Sequence, residues 1–376
     1  MRILVLVHEF PPVGGGGGRV AEDLCGKLAG RGHTVNVLTA HFKGLPYQEG
    51  RNGYQVTRFR SLRREPYRAS FLAMMVFVLA GFWAGRRLIK QFQPDVIHAH
   101  FAVPAGALAW ILSWISGIPY MLTVHLGDVP GGVPEKTDAW FRWIYPLTHG
   151  IWRHAREIVA VSEFTRQLAL KTYRERIHVV PNGADLGALT PRQIGLNDPP
   201  RIVFAGRLME QKNPLQFVQT LAELKALNWQ AVMIGDGVLS QEVRCAIERL
   251  ELQDRFHLTG WIDPQEVLQW FDRSDILFMP SRSEGLPVVG VQALAKGLAI
   301  VASRVGGFVD LVEEDRNGYL IEVRDPSTFA SCLSRLLSDP QRLLAFREAS
   351  LEKAKSFELE HIADEYETIL MRVKHA

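Results

Sequence analysis

A chain of 376 residues is long for one ordinary domain and comfortable for two. Its 47% hydrophobic and 22% charged residues exclude a disordered or fibrous protein, and Cys25, Cys245 and Cys332, few, odd in number and far apart, exclude a disulfide framework or a zinc site and fit a reducing compartment. The formal charge of +3 hides an asymmetry: residues 1–190 hold 22 Lys/Arg against 13 Asp/Glu (+9), and residues 191–376 hold 21 against 27 (−6), so an anionic partner is expected for the first half.

The first apolar run, 3–7, is too short for a signal peptide and reads as a buried strand. It leads into Pro11-Pro12-Val13 and five glycines, Gly14–Gly18, before a helix with Val20, Leu24 and Leu28 at four-residue spacing. Glycines let backbone amides approach an anion, and a helix N-terminus adds partial positive charge. The run therefore reads as a phosphate-facing loop, with a flexible surface loop as the plain alternative. It is not a dinucleotide fingerprint, because no register supplies the third glycine of G-x-G-x-x-G and no acid follows the second strand, which ends Leu38-Thr39-Ala40-His41. Further buried strands are expected at 35–39, 96–98, 121–124 and 158–161. Continuous apolar strands alternating with helices imply an α/β fold with parallel sheets covered on both faces.

Residues 51–90 carry nine cations (Arg51, Arg58, Arg60, Arg63, Arg64, Arg68, Arg86, Arg87, Lys90) against one acid, Glu65. Within them, 69–85 is nearly uncharged. It falls short of the about 20 residues of a bilayer span. It reads as a buried helix of the first domain, or as a helix lying in a membrane interface with arginines at both ends, and both hold in part if one face is core and the other lipid. The cations surround an apolar run instead of interleaving with a stacking platform, which argues against nucleic acid.

The strand pattern restarts after Pro181-Asn182-Gly183 and Asn197-Asp198-Pro199-Pro200, which places a hinge at about 182–200 and domains at 1–190 and 191–357. Strands are expected at 202–205, 231–234, 276–279 and 298–302. A last helix is expected to carry Ile362, Tyr366, Ile369, Leu370 and Val373 on one face.

Chemistry concentrates in the second half. Gly206-Arg207-Leu208 follows the first strand of the restart, and Lys212 precedes a helix start at Asn213-Pro214. Cations at the C-terminal end of a parallel strand sit where α/β proteins bind ligands, and a guanidinium and an ammonium together could neutralise a leaving diphosphate. Glu284-Gly285-Leu286-Pro287 then links a strand to a helix whose first amides, Val288 and Val289, would point at an anion. Gln292 is expected two turns inside that helix, which puts a carboxylate and a carboxamide on one ligand-facing side.

The order of these motifs resembles glycosyltransferase family 4, retaining enzymes of the GT-B fold, over nearly the whole chain. The resemblance rests on Pro11-Pro12 with Gly15-Gly16, Gly32-His33, His98-Ala99-His100, Thr123-Val124-His125, Ser162-Glu163, Pro181-Asn182-Gly183, Gly206-Arg207-Leu208 with Lys212, Gly235-Asp236-Gly237, the stretch from Glu284 to Gln292, Ala295-Lys296-Gly297 and Gly306-Gly307. It implies two Rossmann-like domains with parallel sheets facing across a cleft, and a final helix, 358–376, packing back on the first domain. By position, Arg207 and Lys212 would grip the donor diphosphate and Glu284 would meet hydroxyls of the transferred sugar. His125 would lie near that sugar, and Gly15-Gly16 would face the phosphates. Gly206, Gly235, Asp236, Gly285, Leu286, Val288 and Val289 would line the donor, with the nucleobase near Trp261. The family's second Glu, which binds the nucleotide ribose, is replaced by Gln292; a carboxamide accepts from one hydroxyl but loses a charge-assisted bond, a difference of about 1 kcal/mol.

The resemblance implies retaining transfer of a hexose from a UDP- or GDP-sugar to an acceptor hydroxyl, and the basic, partly apolar first half suits an anionic glycan or lipid-linked acceptor. No Asp/His metal cluster appears in the sequence, so transfer without metal or other cofactor is expected, and charge and apolarity place the chain in the cytoplasm or on the cytoplasmic face of a membrane touched through residues 51–90. The alternatives are a non-hydrolysing sugar-nucleotide epimerase on the same fold and a nucleotide-sugar-binding pseudoenzyme.

Overall fold

Uninterrupted apolar runs can be left neither in water nor without backbone partners, and here they pair side by side into two sheets. The computed structural model describes residues 1–65, 69–191, 193–322 and 326–375, without the side chains of 134–143 and 326. The chain forms two compact units, Met1–Gly183 with Leu359–Ala376, and Ala184–Glu358.

Unit 1 holds β1 (Arg2–Leu6), β2 (Thr34–Ala40), β3 (Gln48–Arg51), β4 (Tyr54–Phe59), β5 (Val96–His100), β6 (Tyr120–Val124), β7 (Glu157–Ala160) and β8 (Ile177–Val179), in the order β3-β4-β2-β1-β5-β6-β7-β8. Only the edge pair β3–β4 is antiparallel. Its longer helices are α1 (Gly16–Gly30), α2 (Phe71–Phe92), α3 (Ala107–Ser116), α4 (Pro134–His154) and α5 (Glu163–Leu170). Successive side chains of a strand point to opposite faces, so β1 divides its own run between two cores. Ile3, Val5 and Val7 pack with Leu24 and Leu28 of α1 and with Ile362, Tyr366 and Ile369 of the terminal helix, Leu359–His375. Leu4 and Leu6 pack with Phe77 of α2, Leu108 and Leu112 of α3 and Trp152 of α4. Lys27 and Arg31, near the end of α1, pair with Glu360 (2.6 and 2.8 Å), and Arg31 also reaches Asp364 and Glu367.

Unit 2 holds β9 (Arg201–Ala205), β10 (Gln230–Ile234), β11 (Phe256–Gly260), β12 (Ile276–Met279), β13 (Ala299–Ser303) and β14 (Gly318–Ile321), all parallel, in the order β11-β10-β9-β12-β13-β14. Helices α6 (Leu186–Leu189), α7 (Pro214–Ala222), α8 (Ser240–Arg249), α9 (Pro264–Asp272), α10 (Val288–Ala295), α11 (Phe308–Leu311), α12 (Pro326–Leu337) and α13 (Pro340–Ala354) complete it. A buried ion pair, Asp275 with Arg347, secures the entry to β9: Asp275 accepts from the amides of Arg201 (2.8 Å) and Asn197 (3.2 Å), and Arg347 donates to the Gly297 carbonyl (2.7 Å).

The compact units divide at 183/184, inside the hinge expected at about 182–200, and at 358/359; the Ala184 amide donates to the Phe357 carbonyl (2.8 Å) and Ala184 bridges Glu358. One sequence expectation needs correction, the placing of Gln292 two turns inside its helix. Gln292 is the fifth residue of α10, little more than one turn inside it. Most of the stretch 69–85 lies in the helix Phe71–Phe92, which buries one face in unit 1 and leaves the other exposed, an arrangement the sequence allowed.

Candidate functional site

In unit 2, β9, β10 and β11 step one way across the sheet, and β12, β13 and β14 step the other. The chain reverses direction between β9 and β12, the topological switch point beyond whose strand ends open α/β sheets bind ligands. Arg207 and Lys212 follow β9, and Glu284 follows β12.

These loops are locked to each other. Gln211 accepts the Arg282 amide on its carbonyl (2.8 Å), and its side chain donates to the Ser283 carbonyl (3.1 Å). Lys212 lies over Gly206 and donates through Nζ to Glu284 Oε1 at 2.6 Å, where the Ser281 hydroxyl also donates at 2.7 Å. Glu284 is buried, whereas Arg207 is half-buried and has no ion pair among the described residues. A Cβ on Gly306 would fall 1.6 Å from the Glu284 carbonyl oxygen, and one on Gly307 would fall 2.4 Å from that of Gly285, so only glycine allows this backing against the 284–286 loop. On the other side Gly235 closes on Gly206: its Cβ would lie 2.0 Å from the Gly206 oxygen. Pro287 caps α10, so the Val288 and Val289 amides belong to the first turn, which has no intrahelical acceptors. The half-buried Gln292 lies one turn further in.

Asp236 is turned elsewhere. Its carboxylate accepts from the Ser240 hydroxyl and from the Gly237 amide (2.7 Å), in that order the causes that hold it below the usual carboxylate range. It braces the start of α8. Trp261 follows β11 and is half exposed.

In unit 1 the reversal lies between β1 and β5, and histidines crowd the strand ends. His8 follows β1, His98 and His100 belong to β5, and His125 follows β6. Gly14, Gly17 and Gly18 of the glycine run are closely packed, whereas Gly15 and Gly16 are exposed. Gly15 caps α1 and donates to Glu9 Oε2 (3.3 Å). A Cβ on Gly17 would lie 2.5 Å from the Phe101 ring and 3.2 Å from the His125 ring, and one on Gly18 would lie 2.4 Å from the Glu9 carbonyl. Burial pushes the Glu9 carboxyl up, yet His8, Arg63 and the Gly15 amide together hold it below the ordinary range. The Phe101 and His125 rings stack at 4.3 Å.

Burial lowers His8 and His125 to about 4 and His98 to about 3, and carries His100 well below its ordinary value, so all four imidazoles are neutral near pH 7. Both ring nitrogens of His100 and Nε2 of His125 are buried without a hydrogen-bond partner. Asp128 accepts from the His125 and Ala102 amides, both at 2.8 Å, and burial still raises it to about 7. Neutral imidazoles with unused nitrogens suit hydroxyl-bearing ligands, since each can donate or accept.

Two family models divide the chain: Glycosyltransferase Family 4 matches residues 14–188, and Glycosyl transferases group 1 matches 189–353. The chain belongs to glycosyltransferase family 4. Its fold is GT-B, two Rossmann-like parallel-sheet domains. This glycosyltransferase is 25% identical over 377 residues to an uncharacterized glycosyltransferase of Methanocaldococcus jannaschii, covering 94% of this chain and 93% of that one. Among solved structures, sucrose-phosphate synthase from Thermosynechococcus elongatus superposes with a TM-score of 0.87 at 20% identity, covering 99% and 98% of the two chains. Anabaena HepE in complex with UDP-glucose superposes with a TM-score of 0.78 at 19% identity, covering 99% and 100%.

Within the glycosyltransferase, Lys212, Glu284, Gly206, Gly235, Gly285, Leu286, Val288, Val289 and Gln292 all belong to the β9, β10 and β12 strand ends and the start of α10, with Arg207 beside them. Gly15, Gly16 and His125 share the β1–β6 strand ends of unit 1. The expectations from motifs passed over Glu9 and Asp128. Glu9 lies in a loop and Asp128 ends the short 3-10 turn Leu126–Asp128, with no spacing to flag either; Arg63 for Glu9 and Ala102 for Asp128 become partners only in the fold.

Proposed function

We propose that this enzyme transfers a hexose from a UDP- or GDP-sugar to a hydroxyl of an anionic glycan or lipid-linked acceptor, with retention of anomeric configuration and without metal, at the cytoplasmic face of a membrane in glycan or envelope biosynthesis. The observation that carries this reading is the convergence of Arg207, Lys212, Glu284 and the α10 amides on the switch point of unit 2. A guanidinium, an ammonium and two unsatisfied amides complement a diphosphate. The crystallised complex of HepE with UDP-glucose supports a nucleotide-sugar as the ligand of this fold.

The chemistry assigned to these residues is placement and charge stabilisation. Arg207 and Lys212 take up charge that develops on the departing diphosphate. Glu284, fixed by Lys212 and Ser281, accepts from hydroxyls of the transferred sugar. The neutral imidazoles of His125 and His100 are assigned to sugar hydroxyls. In front-face transfer of the kind drawn for the family, the leaving phosphate removes the acceptor proton, so no protein base is required.

A thermal-shift panel of UDP-, GDP- and ADP-sugars tests the donor. A binding sugar nucleotide at 100 times its Kd stabilises the fold by about 2.7 kcal/mol, and EDTA leaves both the shift and turnover unchanged. Gln292→Glu tightens UDP binding by about fivefold, the equivalent of about 1 kcal/mol. Loss of turnover in EDTA with recovery in Mg²⁺ would contradict the metal-free reading. Binding without turnover on any acceptor would favour a silent nucleotide-sugar-binding protein.

A further inference from the structure

The cations of residues 51–90 are not one patch. Arg58 and Arg51 are drawn onto Glu49 (both 2.8 Å), Arg51 also onto Glu22 (2.7 Å), Arg63 onto the His8 carbonyl (3.1 Å) and Arg60 onto the Tyr47 hydroxyl (2.9 Å). Arg68 lies outside the described residues. What remains on α2 is its C-terminal end: Arg86, Arg87 and Lys90 are exposed, form no ion pair among the described residues, and share a helix that contains no acid.

The rest of α2 is two-faced in an unusual sense. Its inner face, Ala73, Phe77, Gly81, Gly85 and Leu88, is buried. A Cβ on Gly81 would sit 2.7 Å from Leu108 Cδ2 and one on Gly85 2.6 Å from Leu112 Cδ1, so α2 is pressed onto α3 and runs in the same direction. The outer face is apolar too. Leu72, Met75, Leu79 and Trp83 recur at three- and four-residue intervals and are 60, 47, 65 and 69% exposed.

We propose that the outer face of α2 lies in the plane of an anionic membrane surface, with Leu72, Met75, Leu79 and Trp83 at the acyl boundary and Arg86, Arg87 and Lys90 against lipid phosphates. By length and composition the 22-residue helix could cross a bilayer, but its inner face belongs to the core of unit 1, which fixes it to the surface. Large hydrophobics and an aromatic beside a purely cationic end match an interfacial helix. A second copy fits worse. Pairing the helices antiparallel would bury three cations against a partner's apolar end, and parallel pairing would set cations against cations, with no acid on the helix to compensate. The surface deepens the membrane side of the proposed acceptor but is independent of the donor site.

Flotation of the full chain with phosphatidylcholine vesicles, with and without about 30% phosphatidylglycerol, tests it. The chain is expected to float with the anionic vesicles and much less with the neutral ones. Leu79→Ser with Trp83→Ser, and separately Arg86→Ser with Arg87→Ser, each lower partitioning about tenfold or more, while the thermal shift with UDP stays that of the unaltered chain. Absence of flotation with anionic vesicles overturns the proposal, as does equal flotation of the variants. A dimer in solution that Trp83→Ser converts to monomer assigns the face to a second copy and overturns it equally.

Discussion

Replacing Arg207 with alanine is expected to lower kcat by about 10²–10³ while leaving the stability of the chain nearly unchanged. Arg207 has no ion pair among the described residues, so its removal strands nothing in the fold. The same loss is expected of Lys212→Ala, but with a second consequence. Lys212 is the cation on a buried carboxylate, Glu284, whose remaining side-chain donor is Ser281. Breaking a buried pair by deleting one partner costs about 3–5 kcal/mol, so this variant unfolds earlier as well as turning over more slowly. Lys212→Ala with Glu284→Gln relieves the stranded charge and recovers most of the stability, but none of the rate. Steady-state kinetics and denaturant midpoints on the four proteins separate the two effects. A near-normal kcat in Arg207→Ala would remove the guanidinium from the mechanism, whatever happens at Lys212.

Acidification from pH 7 to pH 5 is expected to destabilise unit 1, the loss at its buried histidines outweighing an opposing gain of about 2 kcal/mol at Asp128, whose carboxyl burial raises to about 7. His8, His98 and His100 are buried, with values lowered by desolvation to about 4, to about 3 and well below the ordinary 6.5. The sign follows from proton counting. Between pH 6.5 and about 4 the unfolded chain binds protons at these rings and the folded chain does not, so stability falls as pH falls through that window. At pH 5 each ring contributes a loss of about 2 kcal/mol at most. Above pH 7 the effect is absent, because both states hold neutral imidazoles. Urea unfolding between pH 7.5 and about pH 5 measures it. A midpoint independent of pH there would mean that the rings are protonated in the folded chain or reached by water. Replacing His98 and His100 with asparagine should flatten the profile.

The fold was legible where strands are buried on both faces. The runs at 3–7, 96–98, 121–124, 202–205, 231–234 and 276–279 all fall in or across central strands. What escaped sequence reading lies mostly at sheet edges. Strand β3 is Gln48-Glu49-Gly50-Arg51, with no apolar residue, and it forms because β4 offers an antiparallel edge. Strand β11 is only half-buried, β8 has three residues, and β14 depends on Gly318 lying against the Ile300 carbonyl, where a Cβ would come within 2.0 Å. Such strands are fixed by their neighbours more than by their own composition.

The donor-side residues were legible for a different reason: strand ends mark where ligands go, and Arg207, Lys212 and Glu284 stand at two of them. Charge was the least reliable guide. The excess of cations in 51–90 pointed to an anionic partner, but Arg51, Arg58 and Arg63 are spent on Glu22, Glu49 and Glu9 inside unit 1. No count along the chain distinguishes a paired arginine from an available one.

A crystal structure of the chain with UDP bound tests the central claim most directly. The account predicts the β-phosphate within hydrogen-bonding reach of Arg207 and Lys212, with the α10 amides on the diphosphate and a ribose hydroxyl on Gln292. A diphosphate bound elsewhere, with Lys212 still closed on Glu284 and Arg207 in solvent, would contradict it.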